Sequence, residues 1–335
     1  MIRLVDLAAV VSLPFTHMLD VLIHSPYPRQ KSQGNAVTAL RMKNLLAEGG
    51  LSVAIHERGD SPIEAKCLIA LNARKSAAEI FAFQERQSAS VVVALLTGTD
   101  VNHPEMEDPC SDTIKALHQS DVIVSLHGGF SHRIPDELLG KTTVIYPSVR
   151  IPDTVRHFPT SEREVVIAGN FRDEKNPNLL IQAVGELVGE SITFHAYGDG
   201  GSYQELLEKT ADDYDDFKLH GVQDHEVLLT KMQSASVLLN TSIEEGGANA
   251  ICEAVAIGLP VVASKIDGNI GMLGQDYAGF FTSGDVGELA KLLRRIFAEK
   301  ELYELLKQQV SKRAELFSYE REAAEWVALV QKIIK

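Results

Sequence analysis

Short apolar runs rich in β-branched residues alternate with stretches of helical spacing along most of the chain, and this alternation restricts the fold more than any other feature. Strands that read as continuous apolar runs are buried on both faces, which requires a parallel sheet covered by helices on each side. In the first half the runs are Leu19 to Ile23, Leu51 to Ile55, Cys67 to Leu71, Val91 to Leu96, Asp121 to Leu126 and Thr142 to Tyr146. In the second half they are Val165 to Ala168, Ile192 to Ala196, Phe217 to Leu219, Val237 to Asn240, Pro260 to Ala263 and Gly279 to Phe281. Two similar sets predict an α/β protein of two doubly wound, Rossmann-like domains, and 335 residues are enough for about two domains.

Pro147 to Glu164 holds three prolines and no apolar periodicity, so it reads as the interdomain connection. We place the first domain at residues 18–150 and the second at 151–317. A last helix over 318–335 carries the single Trp326 on an apolar stripe with Ala323, Val327 and Val330, and is expected to pack back on the first domain. Met1 to His17 reads as an N-terminal extension, an upstream start or a non-native segment, with a real ordered segment as the alternative. As a targeting segment it is poor, because Asp6 interrupts its apolar run and no small-residue cleavage site follows. Open α/β sheets bind ligands outside the carboxyl ends of their strands, which puts the site in a cleft between two facing sheets.

The 32 Lys and Arg against 46 Asp and Glu leave a net charge of −14, which argues against nucleic acid or an anionic membrane surface as a generic partner. An anionic ligand then needs a local basic pocket. No apolar run approaches the roughly 18 residues of a membrane span, so no integral membrane segment is expected. Cys67, Cys110 and Cys252 are far apart and fit no zinc or disulfide framework, which points to reduced thiols and a cytoplasmic location.

The most informative stretch is Leu238 to Ala263, LLNTSIEEGGANAICEAVAIGLPVVA, which reads as strand, glycine turn, helix and strand. Ala248, Ile251, Cys252, Val255 and Ala256 form one core-facing helical stripe, with Glu253 among them. Glu245 stands just before the helix, and Gly246 and Gly247 bare its first amides. A helix N-terminus with glycines suits a phosphate, and a carboxylate two turns along suits the vicinal hydroxyls of a ribose. The competing reading makes Glu244 and Glu245 helix caps and Glu253 an ordinary polar position.

The Glu245 and Glu253 spacing followed by AxxxGLPVVAS resembles the donor-site signature of retaining GT-B glycosyltransferases of family 4. AGNFRDEKNP at Ala168 to Pro177, HAYGDGGSYQELLEK at His195 to Lys209 and LHGVQDHEVLLTKMQSASVLLNTS at Leu219 to Ser242 follow in that family's order. The resemblance implies that Glu253 binds the ribose of a nucleotide diphosphate sugar and Glu245 the transferred sugar. The amides of Gly246, Gly247 and Ala248 would face the phosphates or the sugar, and Arg172 and Lys175 would neutralise the leaving diphosphate. Where the family has an arginine directly after the glycine, this chain has Asn170, with its arginine at position 172.

In the first domain, SPYPRQKSQGNAVTALRMKNLL at Ser25 to Leu46 leaves a strand and enters a helix at Asn35, so Gly34 and the helix amides offer a second anion site. Arg29 and Lys31 add charge to that loop. LIALNARKSA at Leu68 to Ala77 and VVALLTGTDV at Val92 to Val101, with VIYPSV at Val144 to Val149, resemble the selenosugar synthase family of selenoneine biosynthesis. That resemblance implies a UDP-sugar donor, typically UDP-GlcNAc, and selenophosphate as a small anionic acceptor. The family usually has a histidine where Asn72 stands here. Gly34, Asn35, Asn72, Arg74 and His127 are the candidate acceptor contacts. Thr99 and Asp100, at a strand end, are the candidate contacts to the donor from the first domain, and turn chemistry is their ordinary alternative.

Family 4 enzymes lack an obvious nucleophile, and none stands out here. By resemblance, the acceptor attacks C1 on the face from which the diphosphate leaves, so catalysis rests on positioning and charge stabilisation. An anionic acceptor also makes a strong general base less necessary. No cofactor is called for. Asp213-Tyr214-Asp215 reads as a solvated acidic cluster, and the eleven histidines show no metal-ligand spacing, so no metal is expected either. The alternatives are a family 4 enzyme with an ordinary hydroxyl acceptor, a UDP-sugar epimerase on the same fold, and a non-catalytic nucleotide-sugar binding protein.

Overall fold

The computed structural model describes residues 18–26, 34–152 and 162–335. The first seventeen residues, Arg29 and Lys31 lie outside the described residues. All twelve expected runs form strands, with ends within two residues of the expected bounds. The first sheet holds β1 (Leu19–Ser25), β2 (Val53–Glu57), β3 (Ala65–Leu71), β4 (Val91–Leu96), β5 (Val122–Ser125) and β6 (Thr142–Val144). The second holds β7 (Arg163–Ala168), β8 (Ile192–Tyr197), β9 (Phe217–Gly221), β10 (Val237–Asn240), β11 (Val261–Ser264) and β12 (Phe280–Phe281). Helices cover both sheets, so the expected pair of doubly wound domains is the observed fold.

Strand order places the site. The first sheet runs β2-β1-β3-β4-β5-β6 and the second β12-β11-β10-β7-β8-β9, with all pairs parallel. The order reverses between β1 and β3 and again between β7 and β10. Loops leaving two such strands diverge to opposite faces and open a crevice at the carboxyl ends. After β1 comes α1 (Gly34–Glu48), after β3 comes α2 (Ala73–Arg86), and after β7 comes α3 (Pro177–Glu186). The loop after β10 leads to α5 (Asn249–Ile257), and α4 (His225–Ser234) precedes β10. The short α6 (Asp267–Leu273) follows β11.

The last helix, α7 (Tyr319–Ile333), packs on the first domain, where buried Trp326 and Val330 join Met42, Leu45 and Leu46 of α1 in one core. Its apolar stripe is legible in sequence; its charged anchor is not. Glu322 is 1% exposed and lies 3.0 Å from the Arg41 guanidinium of α1. The same carboxylate oxygen, Oε2, accepts from the Ser148 amide at 2.8 Å. Burial of a charge this deep requires a partner and hydrogen bonds, and Glu322 has both.

Glu322→Ala leaves Arg41 buried without its counter-ion and is expected to destabilise the first domain by about 3 kcal/mol, the scale of breaking a buried pair. Urea unfolding followed through the fluorescence of Trp326, the chain's single tryptophan, measures it.

Candidate active site

A cleft of about 360 Å³ lies between the domains at the carboxyl ends of the strands. Gly34, Asn35, Lys75, Thr97, Gly98 and Thr99 line it from the first domain. Gly169, Arg172, Lys175 and Glu245 to Ala248 line it from the second.

On the second-domain wall Gly169 has φ 141°, a backbone state that favours glycine, and the Lys175 side chain passes over it. Asn176, also left-handed at φ 50°, caps α3, and the chain reversal it makes turns Lys175 toward the cleft. Lys175 Nζ meets Glu245 Oε1 at 2.5 Å. The same oxygen accepts from Ser242 Oγ at 2.7 Å and from Asn240 Nδ2 at 3.1 Å. Burial alone would raise the Glu245 carboxyl, but the Lys175 charge and these hydrogen bonds outweigh it and hold the group below the ordinary carboxylate range. Arg172 lines the same wall, half exposed, with Glu174 at 3.5 Å.

The capping alternative is not what the chain does. Ala248 stands at the N-cap of α5 with no side-chain cap, and Glu245 turns to Lys175 instead. Gly246 is used differently from expectation: a Cβ there would lie 1.8 Å from the Gly98 amide nitrogen, so its backbone packs on the opposite domain. Gly247, at φ 148°, packs on Leu126. The open amides of the turn therefore lie toward Ala248 and the first turn of α5.

Glu253 lies behind the cleft lining, 8% exposed, with His225 Nε2 at 2.9 Å from its Oε1. The hydrogen bond to Glu253 raises the His225 imidazole above its ordinary pKa despite partial burial. Sequence reasoning passed over His225. It sits inside the segment Leu219 to Ser242 quoted above, at the start of α4, but no spacing rule joins positions on two separate helices.

Four expectations on the first-domain wall need correction. Asn72 is fully buried at the N-cap of α2 with φ 61°; its Nδ2 donates to the Thr97 and Thr99 hydroxyls at 2.8 Å each. It orients two cleft hydroxyls and does not line the cleft itself. Asp100 is also fully buried, accepting from the amides of Thr97 at 2.7 Å, Ala73 at 2.8 Å and Val101 at 2.9 Å. Its carboxyl, pushed up to about 7 by burial, is closed inside the turn, so Thr99 alone of that pair faces the cleft.

Arg74 points away, toward Glu105 at 3.9 Å, because residues adjacent on a helix project about 100° apart. The next residue, Lys75, takes the cleft position. Burial and the Arg172 charge across the cleft lower its pKa. His127 is fully buried; its Nδ1 accepts from the Gly129 amide at 3.1 Å, its ring packs on Phe130, and burial pushes it down to about 4. It is a neutral structural imidazole at the domain interface. Gly34 and Asn35 do line the cleft, at the start of α1.

Among the described residues, no group of three or more His, Cys, Asp or Glu side chains could hold a metal ion, and no helix is long and apolar enough to cross a membrane.

Residues 162–299 match the family described as glycosyl transferases group 1. CapJ of Staphylococcus aureus is 29% identical over 143 residues, 42% of this chain and 36% of CapJ, so the chain spans about a third of the length of that relative. Sucrose-phosphate synthase from Thermosynechococcus elongatus superposes with a TM-score of 0.75 at 16% identity, over 93% of this chain and 98% of that one. Anabaena HepE in complex with UDP and glucose superposes with a TM-score of 0.73 at 16% identity, over 94% and 100%. The fold is GT-B.

Two measurements follow from this geometry. Gly246→Ala drives a methyl into the Gly98 backbone, so the domains are expected to stand further apart, read as a larger radius of gyration in small-angle scattering. The His225 imidazole is expected to titrate above its ordinary range by NMR and to fall back in Glu253→Gln. Because its pKa is raised by folding, the pairing stabilises the protein below about pH 6.5 and is lost as pH rises through the raised value.

Proposed function

We propose that the protein is a glycosyltransferase that moves a sugar from a UDP-sugar, by resemblance UDP-GlcNAc, to a small anionic acceptor, by resemblance selenophosphate. The observation that carries the reading is the Lys175 and Glu245 contact at the β7 and β10 switch point, beside the uncapped first turn of α5. It sets a cation, a carboxylate and open amides where a diphosphate joined to a sugar presents complementary groups. The match of residues 162–299 to glycosyl transferases group 1 falls on this half, and HepE, of the same fold, is described with UDP and glucose.

In this reading the bond from C1 to the diphosphate oxygen breaks as the bond from C1 to selenium forms, and the electron pair leaves with UDP. Lys175, Arg172 and the α5 amides stabilise the negative charge that develops on the diphosphate. The free oxygen of Glu245 holds the sugar hydroxyls, and by the resemblance Glu253, held by His225 behind the cleft lining, is the ribose contact. Lys75, with the Thr97 and Thr99 hydroxyls and the start of α1, receives the acceptor on the other wall. A nucleophile that arrives anionic needs no deprotonation. That agrees with a first-domain wall whose two titratable candidates, Asp100 and His127, are both turned inward and engaged with backbone amides.

Incubation with UDP-GlcNAc and selenophosphate is expected to yield UDP and a sugar with selenium at C1, read by mass spectrometry. Turnover with a hydroxyl acceptor and none with selenophosphate overturns the selenium assignment and keeps glycosyl transfer. Sugar interconversion without an acceptor points to epimerisation, and UDP-sugar binding without turnover of any acceptor overturns catalysis. Lys175→Ala is expected to lower kcat about 100-fold or more, the scale of losing a charge stabiliser, and a loss under about threefold refutes its role.

A further inference from the structure

We propose that α6 couples closure of the two domains to the setting of the Glu245 carboxylate, with Asn269 as the positioning residue. The proposal rests on the reading of Glu245 as the residue that holds the donor sugar.

α6 touches the first domain along one side. Arg133 Nε lies 2.8 Å from Asp267 Oδ2, and His132 Nε2 lies 3.2 Å from the same oxygen. The packing there leaves no room for side chains: a Cβ at Gly129 would fall 2.3 Å from the Asp267 carbonyl oxygen, and one at Gly271 would fall 2.1 Å from His127 Nδ1.

On its other side α6 touches the loop that carries Glu245. A Cβ at Gly268 would fall 2.3 Å from the Glu245 carbonyl oxygen. Asn269, fully buried, donates to Asn240 Oδ1 at 3.1 Å and to the Ser264 carbonyl at 2.9 Å. Asn240 in turn donates to Glu245 Oε1 at 3.1 Å. With Lys175 and Ser242 on that same oxygen, Oε1 is occupied by the protein and Oε2 is the oxygen left for a ligand.

Two features argue for a task beyond packing. Asn269 Oδ1 is buried without a partner among the described residues, which is a cost that an apolar residue would avoid. The chain of contacts is also directional: Asn240 Oδ1 accepts from Asn269 and from the Ser242 amide, at 3.1 and 3.2 Å, so the Asn240 amide is held with its NH2 toward Glu245. If α6 shifts with the first domain, Asn269 shifts with it and the Asn240 amide loses one of the two donors that fix its orientation, keeping the Ser242 amide. The donor to Glu245 is then held less firmly, while the His225 and Glu253 pair stays as it was.

The test compares Asn269→Ser, Arg133→Ala and the double variant in the full chain, with Glu245→Gln as reference. Three quantities are read: UDP affinity by calorimetry, kcat for UDP release from UDP-GlcNAc and selenophosphate, and the titration midpoint of the Glu245 carboxyl by ¹³C NMR. Asn269→Ser is expected to lower kcat about 10-fold and Arg133→Ala about fivefold, with UDP affinity within about twofold and the Glu245 midpoint raised in both. The double variant should stay near the worse single one and well short of the roughly 50-fold product, because both changes act through one element. A product-like double variant, or an unmoved Glu245 midpoint in Arg133→Ala, overturns the coupling. Full activity in Glu245→Gln overturns the reading on which the coupling rests, whereas loss in Glu245→Gln with full activity in Asn269→Ser overturns the coupling alone.

Discussion

The Glu245 carboxylate is buried, and the organisation of the second domain follows from how that charge is compensated. A buried anion is tolerated only with a counter-ion and hydrogen-bond donors, and removing one of them leaves the rest exposed to the full desolvation cost. The counter-ion, Lys175, comes from the loop after β7, and the nearest donors, Asn240 and Ser242, come from the end of β10 and the turn after it. Those two strands are neighbours in the sheet although the connection between them runs through β8 and β9. The doubly wound order is thus what brings a cation to a carboxylate seventy residues further along, and it does so where diverging loops leave room for a ligand.

The same requirement explains how a protein of net charge −14 gathers cations in its cleft. Lys175 and Arg172 on one wall and Lys75 on the other converge on it, and burial together with the Arg172 charge depresses the Lys75 ammonium. Glu174, Glu244 and Glu245 line the same cleft, so its charge is mixed, and an incoming diphosphate competes with these carboxylates for the cations. The acidic exterior excludes polyanions without opposing a small one. Closure is sterically strict as well, since the 97–99 and 245–247 turns meet through Gly98 and Gly246 with no space for a side chain on either.

Much of the second domain was legible because its signals are local. Strand and helix periods, the glycines after β7 and β10, and the spacing of Glu245 and Glu253 all lie within a few turns of chain, and the structure puts Lys175 and Glu245 side by side. The first domain was less legible. An anionic acceptor makes Arg74 a candidate cation on the first-domain side, but one step along a helix turns the side chain by about 100° and gives the position to Lys75. Asn72 is a candidate by resemblance and Asp100 and His127 by standing at strand ends, where polar side chains also cap turns. Each is occupied that way, by Lys75, Thr97 or Gly129 amides.

Sequence alone determined the fold class, the two sheets and the interdomain position of the cleft, because apolar periodicity and glycine placement act over short distances and are written directly in residue order. It also determined that α7 has an apolar face in need of a partner. Only the tertiary structure decided that Glu322 and Arg41 lock that face, that His225 stands on Glu253, and that Asn269 stands behind Glu245. Those contacts join residues 281, 28 and 24 positions apart, or, for Asn269, through an intermediate amide. Their existence depends on strand order and helix rotation, which set distance and direction together and leave no mark in the spacing of the residues they connect.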